Sequence, residues 1–268
     1  MTTDPWPLTA DLRHRQVLEV NDAAAQIERS VGMLAEGAAR PAMRWYSARS
    51  RALILGVFQP PELINRDACK ARSIPVLQRR SGGTGVLVGP DFLSLDIALP
   101  HGHPLAPADV TETYRWLGQT WLAALSALGV IGARLVSIAE VRSAPPYRPL
   151  RRLPEGEISD EDLVRLACFG SLSPYETAVG ARKLVGLSQV RRRGGVLLQA
   201  GLPLTFRAGL LAELLAVRSI DRERLDRLLR ARAVGLDELL PALPPTGAII
   251  AAFERALTAD GRPLLFDT

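Results

Sequence analysis

One feature limits the possible folds more than any other: the hydrophobic period changes at Phe206. Before it, segments 163–169, 176–179, 183–190 and 195–199 are short apolar runs parted by a few residues each. They predict four closely spaced strands, with Pro203 closing the region. After it, apolar residues recur at helical spacing over 210–217, 221–232 (DRERLDRLLRAR), 236–240 and 247–257. The reading is a mixed α/β body, residues 1–205 with its core at 40–205, followed by a small helical C-terminal unit, residues 206–268.

The first half carries the same mixture. Asn21-Asp22 can cap a helix over 20–36, and 66–72 is a second, shorter helix. Strands are expected at 43–46, 52–55 (ending at Gly56), 74–78, 86–88 and 92–99. His101-Gly102-His103-Pro104 reads as a turn. A long amphipathic helix follows over 107–128, with Asp109 near its start and Gly129 just after it. Segment 135–141 is expected as a strand, and 143–157 (SAPPYRPLRRLPEGE) as an exposed loop.

Composition excludes several classes. At 268 residues, 47% hydrophobic and 23% charged, the chain has an ordinary globular make-up and can bury a sizeable core. No uninterrupted apolar run of about 18 residues suggests a membrane span, and the opening MTTDPWPLTADLRHR lacks a basic region followed by an apolar stretch. Two cysteines, Cys69 and Cys168, make no disulfide framework, which fits a reduced, cytoplasmic protein. The formal charge is +5, but the basic residues are scattered apart from Arg191-Arg192-Arg193 and Arg151-Arg152. No helix-turn-helix signature accompanies them, so no nucleic-acid partner is indicated; a mildly basic surface also suits docking of a small acidic carrier protein. His14, His101 and His103 have no metal-ligand spacing, and no metal is expected.

Three places can carry chemistry. QRRSGGTGVLVGPD (78–91) follows a strand; its glycines let backbone approach a ligand closely, although neither a P-loop nor a dinucleotide fingerprint is present. Cys168 lies within the apolar run Leu166-Ala167-Cys168-Phe169, before the loop Gly170-Ser171-Leu172-Ser173-Pro174, as an inert core thiol or as a nucleophile beside a cation. Lys183 is one of two lysines, with Lys70, among 33 basic residues. Where nearly every cation is arginine, a retained lysine hints that a compact ammonium is needed, and Lys70 reads as a chance surface residue.

Together these segments resemble the superfamily of lipoate–protein ligases, octanoyltransferases and biotin–protein ligases. The likeness is greatest to its lipoate ligase A-like and cysteine-dependent octanoyltransferase branches. It is carried in order by RWYSARSRALILGVFQ (44–59), IPVLQRRSGGTGVLVGPD (74–91), LACFGSLSPYETAVGARKLVGLSQVRRRGGVLLQAGLPL (166–204) and the helical tail. In the family's glycine-rich pattern, Gln78 stands for the first arginine, Arg79 matches the second, and Ser81-Gly82-Gly83 follow. Residues 181–189 meet the family's lysine pattern, with Ala181 in place of the first glycine.

The resemblance implies a mixed, largely antiparallel sheet flanked by helices, with the acyl chain in an apolar tunnel. It implies that Lys183 holds the acyl carbonyl, that Arg79 and the Ser81-Gly82-Gly83 backbone line the pocket, and that Gly186 and Ser188 lie beside it. Cys168-Phe169 and Ser173-Pro174-Tyr175 look like the octanoyltransferase arrangement. Gly-Arg-Asn-Asp, common in ATP-using ligases, is absent here. The implied activity is transfer of an octanoyl or lipoyl group onto a lysine of a lipoyl-accepting domain through a Cys168 thioester, with no cofactor. The implied donor is an acyl carrier protein or an acyl-carrying glycine-cleavage H protein. The alternatives are a lipoate ligase using ATP and Mg, and a non-catalytic module that binds an acyl group or a carrier protein. Two family histidines are replaced, by Val88 and by Ala200 of Ala200-Gly201.

Overall fold

The computed structural model describes residues 18–34, 40–144, 150, 152, 156–215 and 218–259. His14, Arg151, most of the proline-rich segment 143–157 and the ends of the helices expected at 20–36 and 210–217 lie outside them. In chain order the strands are β1 (Glu19–Asn21), β2 (Ala42–Ala48), β3 (Ala52–Leu55), β4 (Val76–Gln78), β5 (Val86–Val88), β6 (Phe92–Pro100), β7 (Ala133–Leu135), β8 (Thr177–Val179), β9 (Arg182–Arg192) and β10 (Gly195–Pro203). The helices are α1 (Ala23–Gly32), α2 (Arg66–Ala71), α3 (Val110–Ala127), α4 (Ile138–Ser143), α5 (Asp160–Val164), α6 (Ala208–Leu214), α7 (Ser219–Arg232) and α8 (Thr246–Ala259).

Seven strands form one sheet in the order β1-β2-β6-β10-β9-β8-β7, antiparallel except for the β1–β2 pair. A smaller sheet has the order β4-β3-β5. The mixed, largely antiparallel sheet flanked by helices is therefore as expected.

β6 explains how the large sheet divides the molecule. Successive side chains point to opposite faces, so Leu93, Leu95, Ile97 and Leu99 share one face while Phe92, Ser94, Asp96 and Ala98 share the other. All eight are buried. The first face meets α3 and α8 in the main core, where Phe253 lies edge-on to Trp45 (5.2 Å between centroids) and tilted against Trp121 (4.9 Å). Such aromatic pairs add about 0.5–1.5 kcal/mol each beyond their burial. The second face is covered by α1 and the small sheet, and a cleft lies between them. The helical segment after Phe206 packs into the interior too: α8 joins the main core, and Leu211, Leu214, Leu225 and Leu229 join a second core under β3.

Three elements differ from expectation. The strand expected at 135–141 stops at Leu135, because Ser137 accepts a hydrogen bond from the Glu140 N–H (3.1 Å) and caps α4. The strand expected at 163–169 is the end of α5 followed by a 3-10 turn at Cys168–Gly170. Ser159 caps α5, and the run is apolar because it is wedged into the second core. Segment 236–240 is a single 3-10 turn, Leu236–Glu238. A capping serine outweighs the apolar period in both of the first two cases.

Candidate active site

The cleft on the second face encloses about 960 Å³, part of it open to solvent. Arg79, Ser81, Cys168, Gly186 and Ser188 all line it. They come from three separate chain segments, and local backbone bonding explains their meeting. The Cys168 N–H donates to the Gly85 carbonyl (2.8 Å), the Gly85 N–H to the Leu166 carbonyl (3.3 Å), and the Gln59 amide to that same carbonyl (3.1 Å). The glycine-rich loop is thus laced to the cysteine turn. Gly83 has φ of 89°, which favours glycine. A β-carbon there would stand 2.8 Å from the Arg79 guanidinium and 3.4 Å from the Cys168 sulfur. The Gly83 carbonyl in turn rests on Gly56, where a β-carbon would approach it to 1.8 Å.

Arg79 is bound into this loop. It donates to the carbonyls of Gly82 (2.8 Å), Thr84 (3.0 Å) and Ile54 (3.3 Å), and its Nη2 lies 3.9 Å from Cys168 Sγ. Cys168 is half-buried, whereas Cys69 is buried in the second core, where burial pushes its thiol up. Gly82 is exposed.

Lys183 is buried, 3% exposed at its side chain, while Lys70 is exposed. Its ammonium does not line the cleft. It lies behind the cysteine turn, 2.7 Å from Glu176 Oε1 and 3.2 Å from each of the carbonyls of Cys168 and Ser171. The Phe169 ring is 5.1 Å away, and a β-carbon on Gly186 would crowd both the Lys183 Cε (3.1 Å) and that ring (3.3 Å). Gly186 is therefore what admits the lysine and the phenylalanine together.

Glu176 is the residue that sequence reasoning missed. It is 1% exposed and accepts from the Leu187 N–H (3.0 Å) and the Ser173 N–H (2.8 Å) as well as pairing with Lys183. It thereby ties the loop after Cys168 to β9. Tyr175, one residue earlier, has φ of 65°, at a cost of about 1–3 kcal/mol. Its N–H bonds the Val136 carbonyl, and the Val136 N–H bonds the Glu176 carbonyl (2.9 Å each). Only the adjacency of a glutamate to Ser-Pro-Tyr hinted at this, and adjacency cannot tell an inward carboxylate from a solvated one.

The two positions of the missing family histidines, Val88 and Ala200-Gly201, all line the cleft, and no histidine among the described residues does. His103 is buried in the turn after β6, its Nδ1 accepting from the Leu105 N–H (3.2 Å), and burial lowers its pKa. No cluster of metal-ligating side chains occurs among the described residues, and none of their helices is long and apolar enough to cross a membrane.

Residues 22–258 match the family described as Lipoyl protein ligase A/B catalytic domain. The chain belongs to this family. Within it, relatives with the name Octanoyltransferase LipM are similar over most of their length. The one from an Exiguobacterium species is 30% identical, covering 99% of this chain and 91% of the relative. The one from Exiguobacterium sibiricum is 31% identical, covering 90% and 84%. The lipoyl ligase fold itself is matched by the archaeal bipartite lipoate protein ligase of Thermoplasma acidophilum, at TM-score 0.65 and 16% identity over 95% of this chain and 86% of that one. It is matched equally by a lipoate-protein ligase A bound with ATP, at TM-score 0.65 and 18% identity over 96% and 88%.

Proposed function

We propose that the protein is an octanoyltransferase that moves an acyl group onto a lysine of a lipoyl-accepting domain through a thioester on Cys168. The observation that carries this reading is the Cys168 thiol itself: half-buried on the wall of an apolar cleft, beside the glycine-rich loop and 3.9 Å from a guanidinium. Sulfur is the nucleophile that a thioester route requires, and this thiol opens onto the cleft where a donor thioester can reach it. The relatives named octanoyltransferase support the same activity.

In the first step the sulfur of Cys168 attacks the carbonyl carbon of a donor thioester. A carbon–sulfur bond forms, the donor's carbon–sulfur bond breaks, and the donor thiolate leaves and takes up a proton. In the second, the acceptor's neutral lysine amine attacks the new thioester. An amide forms, the bond to Cys168 breaks, and the amine's proton replaces the one lost from the thiol. Neither ATP nor Mg enters this balance. The donor is an acyl carrier protein or an acyl-carrying H protein, and the acceptor a lipoyl domain.

Lys183 holds the acyl carbonyl in this reading. The ammonium stands behind the cysteine turn, so to meet the substrate oxygen it gives up one of its 3.2 Å bonds to the Cys168 and Ser171 carbonyls and turns toward the cleft while keeping Glu176. A donor aimed at an oxygen that gains charge accelerates the step, typically by about 10²–10³. Ser81, Gly82 and Gly83 border the same oxygen, and Gly186 and Ser188 form the floor beside it.

The test is incubation with an octanoyl-carrier thioester, without ATP, followed by mass analysis and transfer to a lipoyl domain. A single octanoyl adduct on Cys168, and loss of both adduct and transfer in Cys168→Ala, is the expected result. No adduct together with full transfer by Cys168→Ala rejects the thioester route, and transfer that requires ATP and releases pyrophosphate establishes a ligase instead.

A further inference from the structure

The floor of the cleft follows one cross-strand row. Gly186 on β9 is the partner of Gly201 on β10, Gly201 of Ser94 on β6, and Ser94 of Tyr46 on β2. Three of these four have little or no side chain; the Phe169 and Phe92 rings rest on Gly186 and Gly201, and beyond Ser94 the row meets the Tyr46 ring. Phe169, the residue after Cys168, lies on Gly186, which sets the thiol's end of the cleft over β9. The Phe92 ring lies on Gly201 and gives the row an apolar ring surface at β10.

A second observation places a polar group without a partner at the Cys168 end. Ser81 is 2% exposed, lines the cleft, and its Oγ has no partner among the described residues. An unpaired buried hydroxyl costs about 1–3 kcal/mol, so the site is built for a ligand that brings a polar group to it. A thioester carbonyl on Cys168 is such a group, and the apolar tail then runs along the row toward β2.

The far end is rigid. Tyr46 Oη donates to Asp96 Oδ1 (3.2 Å), and the Arg44 guanidinium sits 4.1 Å from the ring centroid. Arg44 is held by Asp96 (2.8 Å) and Ser30 (2.7 Å). Burial first, then the charge of Asp96, push the Tyr46 hydroxyl well above the ordinary tyrosine range, so it remains a protonated donor.

From β9 to β2 is three strand spacings, about 14 Å. Subtracting one van der Waals contact of about 4 Å at the ring leaves about 10 Å. An extended alkyl chain advances about 1.25 Å per bond, so roughly eight bonds fit. An octanoyl thioester has eight from sulfur to terminal methyl.

We propose that Tyr46 is the end wall that sets the acyl length, admitting a straight medium-length chain and excluding a longer or ring-ended tail. This rests on the acyl-transfer reading above. The test loads the full-length protein with hexanoyl-, octanoyl-, decanoyl-, dodecanoyl- and lipoyl-carrier thioesters and reads the rate of each adduct on Cys168. Wild type is expected to peak at octanoyl. Tyr46→Ala moves the peak to decanoyl or dodecanoyl, with their rates relative to octanoyl rising about tenfold or more, the scale on which pockets sort single methylenes. Tyr46→Phe keeps the wall and the wild-type profile. Ser94→Val raises the floor one strand earlier and moves the peak to hexanoyl, and this variant carries the test alone if Tyr46→Ala fails to fold. Loading of both altered variants with an unchanged profile overturns the end-wall role while leaving acyl transfer intact. Wild type that accepts no acyl group from any donor overturns both.

Discussion

The cleft has a buried ion pair at each end, and the two are built differently. At the β2 end Arg44 reaches Asp96, Ser30, the Gln26 carbonyl and Glu19, with its fork saturated by fixed protein groups. At the β9 end Lys183 meets one carboxylate, Glu176, and two backbone carbonyls at longer range. A guanidinium suits a place where several partners must be locked at once. A single ammonium can pivot and exchange one oxygen for another. In a chain with 33 basic residues and only two lysines, this difference gives position 183 a reason to escape arginine. On the acyl-transfer reading proposed above, one pair backs a wall and the other is a working contact.

The largest expected effect breaks the Lys183–Glu176 pair. Glu176→Ala leaves a buried ammonium without its counter-charge and frees two backbone N–H groups. We expect it to lower unfolding free energy by about 3–5 kcal/mol in urea titration. Asp96→Ala is the comparison, and should cost less, about 1–3 kcal/mol, because Arg44 retains Glu19, Ser30 and the Gln26 carbonyl. Equal losses at both positions would erase the distinction between the two ends.

The next effect concerns chemistry. Lys183→Arg keeps the charge, but its wider fork must fit between Gly186, Phe169 and Glu176. Acyl transfer in a single-turnover assay is expected to fall about 10²-fold or more, the scale of a lost oxyanion donor. A near-native rate would show that position 183 needs only a positive charge.

Much of this was legible in the sequence, and the boundary of legibility is physical. Strands β6, β9 and β10 and helices α3, α7 and α8 are long enough for their period to show. Asp109 and Gly129 bracket α3 as capping residues do, Asp109 accepting from the N–H groups of Thr111 and Glu112. Motif order put Cys168, Arg79 and the glycine loop forward as candidates, and they meet at one cleft. The cysteine's backbone was not legible, since the buried end of a five-residue helix and a 3-10 turn leave the same apolar run as a strand. Glu176 and Asp96 were invisible for a related reason. Each is an ordinary carboxylate on a strand or at its start, and its partner lies on another element. Tyr46 became a wall only through a register that joins β2 to β9 across two intervening strands.

The smallest effect separates burial from pairing. Arg134 and Glu140 form a two-pronged pair, 2.8 Å in each prong, but both side chains are more than a third exposed. Hydrogen bonding from Arg134 holds the Glu140 carboxyl below its usual 4.5, against a smaller opposing effect of burial. A depressed carboxylate stabilises the fold above its unfolded value and loses that contribution as pH falls through its folded value. The stability difference between wild type and Glu140→Gln should therefore be constant at neutral pH and shrink toward zero on acidification below about 4.5. Its neutral-pH size should stay under about 1 kcal/mol, because water and salt screen the exposed pair. Urea titration of both proteins across that window, with and without added salt, checks it. A loss as large as that of Glu176→Ala would mean that geometry alone sets the strength of these pairs, and burial would no longer explain why the lysine at the β9 end needs its carboxylate.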